Sequence, residues 1–578
     1  MGDNLVPAGC GQWGRQGHGE RNGSADRSDW VRLPGLVILA ALITAIVASK
    51  SLDASRLHSR LSVPPLYDDV AYFGDAVRWV NAFGSRGVAG SVWDLLHHHA
   101  PFSTLVAATG FLSFPGSYLG PYLVHAVIVF GFLLGIIWLV RRRPVLEIAS
   151  CLIAAVCVPV LWHTITEARP DLPSGLAIGL AAGAIVYRGV LRRSARSLAG
   201  LGVACALAAC IKPTSFPAAL ALLGSAFAIR LVVDCIQAGG LRLSIRTALG
   251  SLVWFVLPLI ATTAVLIGPA LVETVTYILN VFVGQRDLWT TGEGFWPGLL
   301  RFSIGGEGQF GLHYWLAIGL ALMLLRFVLA AIQGRAAVLD AVVLLATVLI
   351  AYAIPSVAEI KTYFFGAMFY GVFIVAMVLN GCASMASMES LLAGTALATD
   401  IRRHLLTAGR VLALAMAFAL FVKHVVIGQL SVATPLSAQQ QDSIRASTER
   451  LWSLLRDVKP PPSGPLYVGF SSPYPVTPAT IQLYAAQARM NLVVRGEMLH
   501  RTGAATADAL LQSNILVVSS SIQHTLVGPR VGDDLIARMD AEKGVCLLDS
   551  MSFPDVTLRV YRRACYRSRP VRNCSAIV

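Results

Sequence analysis

Charge is what this 578-residue chain has least of: Asp, Glu, Lys and Arg make up only 13% of it, against about 25% in a soluble globular domain. Lysine is scarcer still. It occurs only at Lys50, Lys212, Lys361, Lys423, Lys459 and Lys543, and arginine supplies the rest of the 46 basic residues. The ten cysteines form no CxxC pair and no Cys/His zinc spacing, so a zinc ribbon or thioredoxin-type redox site is excluded. Six of them lie in or beside apolar segments. Cys546, Cys565 and Cys574 lie near the carboxyl terminus, and three cysteines leave at least one outside any disulfide. There is no P-loop, no GxGxxG fingerprint, no HExxH motif and no internal repeat, so the common nucleotide- and zinc-dependent signatures are missing.

What is abundant is apolar sequence. Hydrophobic residues make up 55% of the chain and its mean hydropathy is +0.65, which marks an integral membrane protein. About eleven membrane spans are expected. They are Leu33 to Ser49, Gly120 to Val140, Val145 to Trp162, Ser174 to Val190, Leu198 to Ile211, Ser215 to Val233, Ala248 to Gly268, Gly311 to Ala331, Ala336 to Ala353, Tyr363 to Leu379 and Val411 to Ile427. The segment Leu198 to Ile211 is shorter than a usual crossing. The first span follows a polar, Gly-rich tail, residues 1–32, expected to be disordered, and reads as a retained anchor because no small-residue cleavage site closes it.

Arginine clusters orient the chain. Arg15, Arg21, Arg27 and Arg32 precede the first span, Arg141 to Arg143 follow the second, and Arg188, Arg192, Arg193 and Arg196 follow the fourth. Arg242, Arg246, Arg335, Arg402, Arg403 and Arg410 fall on the same side of an eleven-span arrangement. Short cytoplasmic loops are enriched in such residues, so the amino terminus is expected in the cytoplasm. The net charge of +14 follows from the same loops, and nucleic acid is not an expected partner. Three domains follow: the tail, a membrane region over 33–428 with long outer loops 50–119 and 269–310, and an extracytoplasmic domain over 429–578. In the last, Leu466 to Phe470, Ile515 to Ser519 and Val556 to Tyr561 read as strands of an α/β or α+β domain.

Carboxylates at a membrane boundary persist mainly where they bind a cation, pair with a base or handle a proton. Asp68 and Asp69, with Tyr72 and Asp75, lie just beyond the first span. Asp69 to Phe83 has the period of an amphipathic surface helix whose apolar side is Val70, Phe73, Val77 and Val80, and Val92 to Leu96 begins another. Asp68, Tyr72 and Asp75 would share a face, and Asp68 as a simple helix cap is the plainer alternative. A second acidic turn, Glu167-Ala168-Arg169-Pro170-Asp171, joins two spans, and Arg169 lies where the charge rule disfavours a cation. A local ion pair between Arg169 and Asp171 is the plainer reading there. Lys212 and Lys361 occupy outer turns where an ammonium can meet a phosphate or snorkel to headgroups. His97, His98 and His99 point in different directions on one helix, which favours substrate contact over a metal site. The loop 269–310 carries Glu273, Tyr277, Trp296 and Glu307 among glycines and has the make-up of a segment that closes over a substrate.

Taken together, these positions resemble the GT-C superfamily of polytopic glycosyltransferases, particularly the bacterial branch related to protein mannosyltransferases and aminoarabinose transferases. The similarity lies in Asp68-Asp69 with Tyr72, in His99-Ala100-Pro101-Phe102, in Glu167 to Asp171 and in Lys212-Pro213. The resemblance implies a GT-C-like helical membrane fold and a polyprenyl-phosphate sugar donor, commonly undecaprenyl phosphate in bacteria. It further implies transfer with inversion at the outer face of a bacterial inner membrane, to a glycan, lipid or protein hydroxyl. Asp69 or Asp68 would then be the base, with Tyr72, His99, Glu167, Arg169, Asp171, Lys212 and Lys361 around the substrates. Asp69 and Asp171 are the candidate ligands of a divalent cation, Mg or Mn. His99 and Ala100 stand where aminoarabinose-transferase-like members carry Lys-Pro, which moves the phosphate role toward Lys212, Lys361 or Arg169. A transporter or lipid flippase is the alternative; its charges are expected near the bilayer midplane, where Asp340 is the clearest embedded acid.

Overall fold

The computed structural model describes residues 25–98, 100–238, 241–279, 283, 294–357, 366–395, 397–433, 435–458, 464–471, 476–496, 503–520, 532–542, 544–552 and 557–563. They form two compact units, one of residues 1–54, 92–106 and 121–433, the other of residues 55–91, 107–120 and 434–578.

The first unit is helical. Among the described residues of the chain, eight helices are long and apolar enough to cross a membrane: Leu33–His58, Leu119–Val140, Pro213–Ala238, Ile245–Leu279, Trp315–Gln333, Arg335–Ser356, Ala367–Ala393 and Thr399–Ile427. The pair Val145–Val156 and Pro159–Thr166, bent by 60° at the break, has the length and composition of a broken span or a re-entrant loop. Pro159 explains the break, because it forces Val158 into extended backbone (ψ 123°) and offers no N–H to the preceding turn. The indole Nε1 of Trp162 donates to the carbonyl of Val156 at 2.6 Å, across the break. The two remaining expected spans are helices Asp171–Tyr187 and Ala195–Cys210, of 17 and 16 residues. They rise only about 24–26 Å, short of the hydrocarbon core.

Asp171–Tyr187 compensates by near-complete burial. Gly175, Gly179 and Gly183 recur every fourth residue; the first two face Ala367–Ala393 backbone to backbone, and Gly183 lies against the Val375 side chain. A Cβ on Gly175 would overlap the Ala367 carbonyl, one on Gly179 the Gly371 carbonyl, and one on Gly371 the Gly175 carbonyl. Such stripes let membrane helices approach closely. Gly179→Val is therefore expected to lower stability by about 3 kcal/mol, read as a fall in the thermal midpoint of the detergent-solubilised protein. Gly224→Val, at a position where a Cβ meets nothing within 4 Å, is the matched control and should leave the midpoint unchanged.

Two clusters of embedded charges in this unit are paired. Arg143 and Arg410 each bridge Glu147 at 2.8 Å and both reach Glu389. Arg230 joins Asp234 to Asp340, contacting the latter at 2.7 Å, and Gln237 donates to Asp340 at 3.2 Å. Asp340, the acid that a transport reading singles out, is thus held by a guanidinium and an amide.

The second unit is built on a five-stranded sheet of order β2-β1-β3-β5-β4, with β1 Leu466–Ser471, β2 Leu492–Gly496, β3 Ile515–Ser519, β4 Val545–Ser552 and β5 Thr557–Arg563. β1 runs parallel to β2 and β3, while β5 is antiparallel to β3 and β4. Period-two alternation sends Val468, Phe470, Ile515 and Val517 to a core shared with Leu451 and Leu455 of helix Ala438–Asp457. Leu516 and Val518 go to the opposite core with Leu535 and Met539. The sheet is therefore covered on both faces. β1, β3 and β5 fall on the three strands read from the sequence, whereas β2 and β4 escape that reading. Both are edge strands with mixed burial, and their short apolar runs, Leu492 to Val494 and Val545 to Leu548, lack the sustained burial of a central strand.

Part of the first long loop belongs to this unit. The stretch Tyr67–Leu96 breaks at Gly87, whose φ of 67° and ψ of 179° are non-helical and suit glycine, so two helical segments lie there, as expected from the sequence. Leu436 N–H donates to the His58 carbonyl at 2.6 Å, Thr480 Oγ1 to the Pro65 carbonyl at 2.9 Å, and Asn81 Nδ2 to the Ala486 carbonyl at 3.1 Å. Val63 and Leu66 pack with Leu436 and Ile444.

Candidate functional site

In the second unit, Pro64 and Pro65 hold the chain extended ahead of helix Tyr67–Leu96, so both aspartates fall in its first turn, where the helix dipole favours negative charge. Their surroundings differ sharply. Asp68 is exposed, whereas Asp69 has no exposed surface. Asp69, Phe73 and Ala76 recur at i, i+4 and i+7 on the buried side of the helix, each at 0% exposure. The expected face of Asp68, Tyr72 and Asp75 is the less buried one; Tyr72 is half-buried and Asp75 pairs with Arg78 one turn on. Carboxylates 68 and 69 thus diverge across the helix rather than converging.

Arg60 is the partner of Asp69, at 2.8 Å, with side-chain exposures of 1% and 0%. Sequence reasoning passed over Arg60. The argument applied to Arg169, a cation on the side where the charge rule disfavours one, applies equally to Arg60 and would have found it. A guanidinium at this distance offsets part of the cost of burying the carboxylate.

The second constellation lies wholly in the first unit. Helix Pro159–Thr166 ends where Glu167 turns extended (φ −133°, ψ 128°), Pro170 restarts the chain, and Asp171 becomes the first residue of helix Asp171–Tyr187. On the neighbouring turn Pro213 forces Lys212 into extended backbone (φ −125°, ψ 104°) after helix Ala195–Cys210. These two proline-set turns bring Lys212 Nζ onto the Asp171 carboxylate as a buried ion pair, with side-chain exposures of 10% and 8%. Glu167 is buried beside it in the chain, and Arg169 is half-buried. Asp171 therefore takes Lys212, forty-one positions on, rather than only its neighbour Arg169.

His97 Nδ1 lies 2.8 Å from the Trp93 carbonyl, and His98 Nδ1 accepts from Ala100 N–H at 3.1 Å. His99 and Lys361 lie outside the described residues. Among the described residues no three His, Cys, Asp or Glu side chains gather as a metal site. Asp69 and Asp171 each face a basic side chain, so a divalent cation at either would have to displace Arg60 or Lys212.

The structure is similar to that of ArnT from Cupriavidus metallidurans. In the apo state the TM-score is 0.51 at 14% identity, covering 93% of this chain and 98% of that one. Bound to undecaprenyl phosphate, ArnT gives a TM-score of 0.53 at 14% identity, covering 91% of this chain and 98% of that one. The Archaeoglobus fulgidus oligosaccharyltransferase in complex with Zn and sulfate is more distant, at a TM-score of 0.43 and 12% identity, covering 82% of this chain and 67% of that one. No protein-family model matches the chain, and no curated protein matches it by sequence.

Proposed function

Because the chain has the GT-C fold of the aminoarabinose transferase ArnT over nearly its whole length, we propose that it is a membrane glycosyltransferase that takes a sugar from a polyprenyl-phosphate donor. The observation that carries this reading is the match to ArnT bound to undecaprenyl phosphate, which spans both units and 98% of that chain. The arginine pattern supports a multi-pass protein of a bacterial inner membrane with its amino terminus in the cytoplasm and residues 429–578 outside. Transfer then takes place at the outer face, to a hydroxyl of a glycan, lipid or protein.

In this reading the acceptor O–H attacks the anomeric carbon and its proton passes to the Asp69 carboxylate, held in place by Arg60. The anomeric C–O bond breaks with inversion, and its electron pair leaves on the polyprenyl phosphate. Lys212 meets that phosphate as a point charge, with Arg169 and Lys361 as further cationic contacts and Asp171 setting the position of the ammonium. Since Arg60 and Lys212 already neutralise the two carboxylates, chelation with EDTA is expected to leave transfer intact. Loss of activity that Mg or Mn restores would instead place a cation at Asp69 or Asp171.

Cells with and without the gene test the proposal. Their envelope glycans, lipids and proteins should differ by one sugar type, with the matching polyprenyl-phosphate sugar accumulating in the cells that lack it. Identical sugar composition and identical polyprenyl pools would refute it.

A further inference from the structure

The carboxyl-terminal domain takes no part in the chemistry above, yet it holds the stretch of chain that delivers Arg60. That stretch runs from the last turn of the helix ending at His58 to the helix opening at Tyr67, through turns and bends only. Ser59, Arg60, Ser62, Val63 and Leu66 are nevertheless buried. Main-chain carbonyls on both sides of Arg60 accept from the domain. Gln441 Nε2 donates to the Leu57 carbonyl at 2.9 Å and Leu436 N–H to that of His58 at 2.6 Å. The last carbonyls of the first helix, which no further helical turn can satisfy, are thus capped from outside. Arg445 Nε donates to the Ser62 carbonyl at 2.8 Å, with Nη2 on the same oxygen, and Thr480 Oγ1 donates to the Pro65 carbonyl at 2.9 Å.

These donors stand on rigid elements. Ser437 and Gln440 close a capping box that fixes the start of helix Ala438–Asp457. Gln441 and Arg445 lie one turn apart on that helix and meet the stretch together with Ile444, which packs with Val63 and Leu66. Further along, Leu451 and Leu455 of the same helix sit in the core of the sheet. Thr480 belongs to helix Pro478–Gln487, whose first turn is capped by Thr477. Arg445 makes the strongest of the bonds, a charged donor with two nitrogens on one carbonyl, while its 3.8 Å contact with exposed Asp442 adds little. We propose that Arg445, supported by Gln441 and Thr480, is a positioning residue for transfer: through the Ser62 main chain it holds Arg60 against Asp69, and so keeps the base where the acceptor O–H meets it. The proposal rests on the glycosyltransferase reading and gives the carboxyl-terminal domain a part in that reaction. The Arg60 to Asp69 pair is shielded from solvent, so a shift of the stretch carrying Arg60 reaches the carboxylate directly.

The full chain in detergent is assayed for transfer from undecaprenyl phosphate carrying glucose, mannose or arabinose to envelope lipids and glycans, and hydrogen exchange over residues 57–69 is followed by mass spectrometry. Arg445→Met should lower kcat about tenfold and leave the donor KM at the parent value, since a misplacement of about 1 Å can cost about a hundredfold in rate. Amides over 57–69 should exchange about tenfold faster, the scale of one charge-assisted hydrogen bond. Arg445→Lys, whose ammonium can donate to the same carbonyl, should recover most of both. Thr480→Val keeps the side-chain shape and should lower kcat about threefold, the weight of a neutral hydrogen bond. Arg450→Met is the control: on the same helix it breaks an exposed ion pair to Asp549 of β4, and both readouts should stay at the parent values. Parent-like kcat in both Arg445→Met and Thr480→Val overturns the proposal, as does an equal fall in Arg450→Met. A fall that Arg445→Lys does not relieve, matched by a lowered thermal midpoint, makes Arg445 a support of the fold and overturns it too. Absence of transfer by the parent from any of these donors overturns the glycosyltransferase reading and the catalytic role of Arg445 with it, while the exchange rates still read the clamp on residues 57–69.

Discussion

Asp69→Asn is expected to lower the rate of sugar transfer by about a hundredfold to ten-thousandfold, the contribution of a positioned general base. The same substitution leaves the buried Arg60 guanidinium facing a neutral amide, and breaking such a pair costs about 3 kcal/mol of stability. Loss of activity alone would therefore not separate base chemistry from structural support. The double variant Arg60→Met with Asp69→Leu does so, because replacing a whole buried ion pair with apolar side chains is close to neutral for stability. It should recover most of the thermal midpoint and remain inactive. Recovery of both would make the Asp69 carboxylate a structural group and move the base role to the exposed Asp68, which Asp68→Asn then tests.

Lys212→Met carries the second large effect. It leaves the Asp171 carboxylate buried without its ammonium, a loss of about 3 kcal/mol. It should also raise the KM for donor about tenfold, the weight of one charge-assisted contact to phosphate. The swap of Asp171→Lys with Lys212→Asp restores an ion pair and should restore the thermal midpoint. It moves the cation to the start of helix Asp171–Tyr187, so the donor KM should stay raised. A swap that returned both stability and KM to the parent values would show that the pair only supports the fold.

How much of this was legible in the sequence depended on how local the signal was. Among the described residues the eleven apolar segments are mainly helical, because a long apolar run states its own structure. What the runs could not show is that Asp171–Tyr187 is short for a crossing even along the membrane normal and is buried against Ala367–Ala393. The Gly175, Gly179, Gly183 spacing was visible but gained meaning only with Gly371 opposite it. Asp68 and Asp69 stood out because charge is rare, yet which of them is buried depends on where the helix starts and which face meets Phe111 and Tyr118 through Phe73. The Arg60 and Lys212 partners were out of reach for a different reason. Ion pairs nine and forty-one positions apart are set by tertiary packing, and the sequence contains no spacing rule for them. The grouping of residues 55–91 with the carboxyl-terminal sheet was hidden likewise, resting on bonds such as Thr480 to Pro65 that join distant stretches.

The most direct test of the glycosyltransferase assignment is a reconstitution in proteoliposomes with undecaprenyl-phosphate sugars labelled at the anomeric carbon, incubated with envelope lipids and glycans and followed by carbon NMR. The account predicts that one donor is consumed and that its label appears in a new glycosidic bond of opposite anomeric configuration, with none formed by Asp69→Asn. Donor that stays chemically intact while it moves between the leaflets would contradict it and make the protein a transporter.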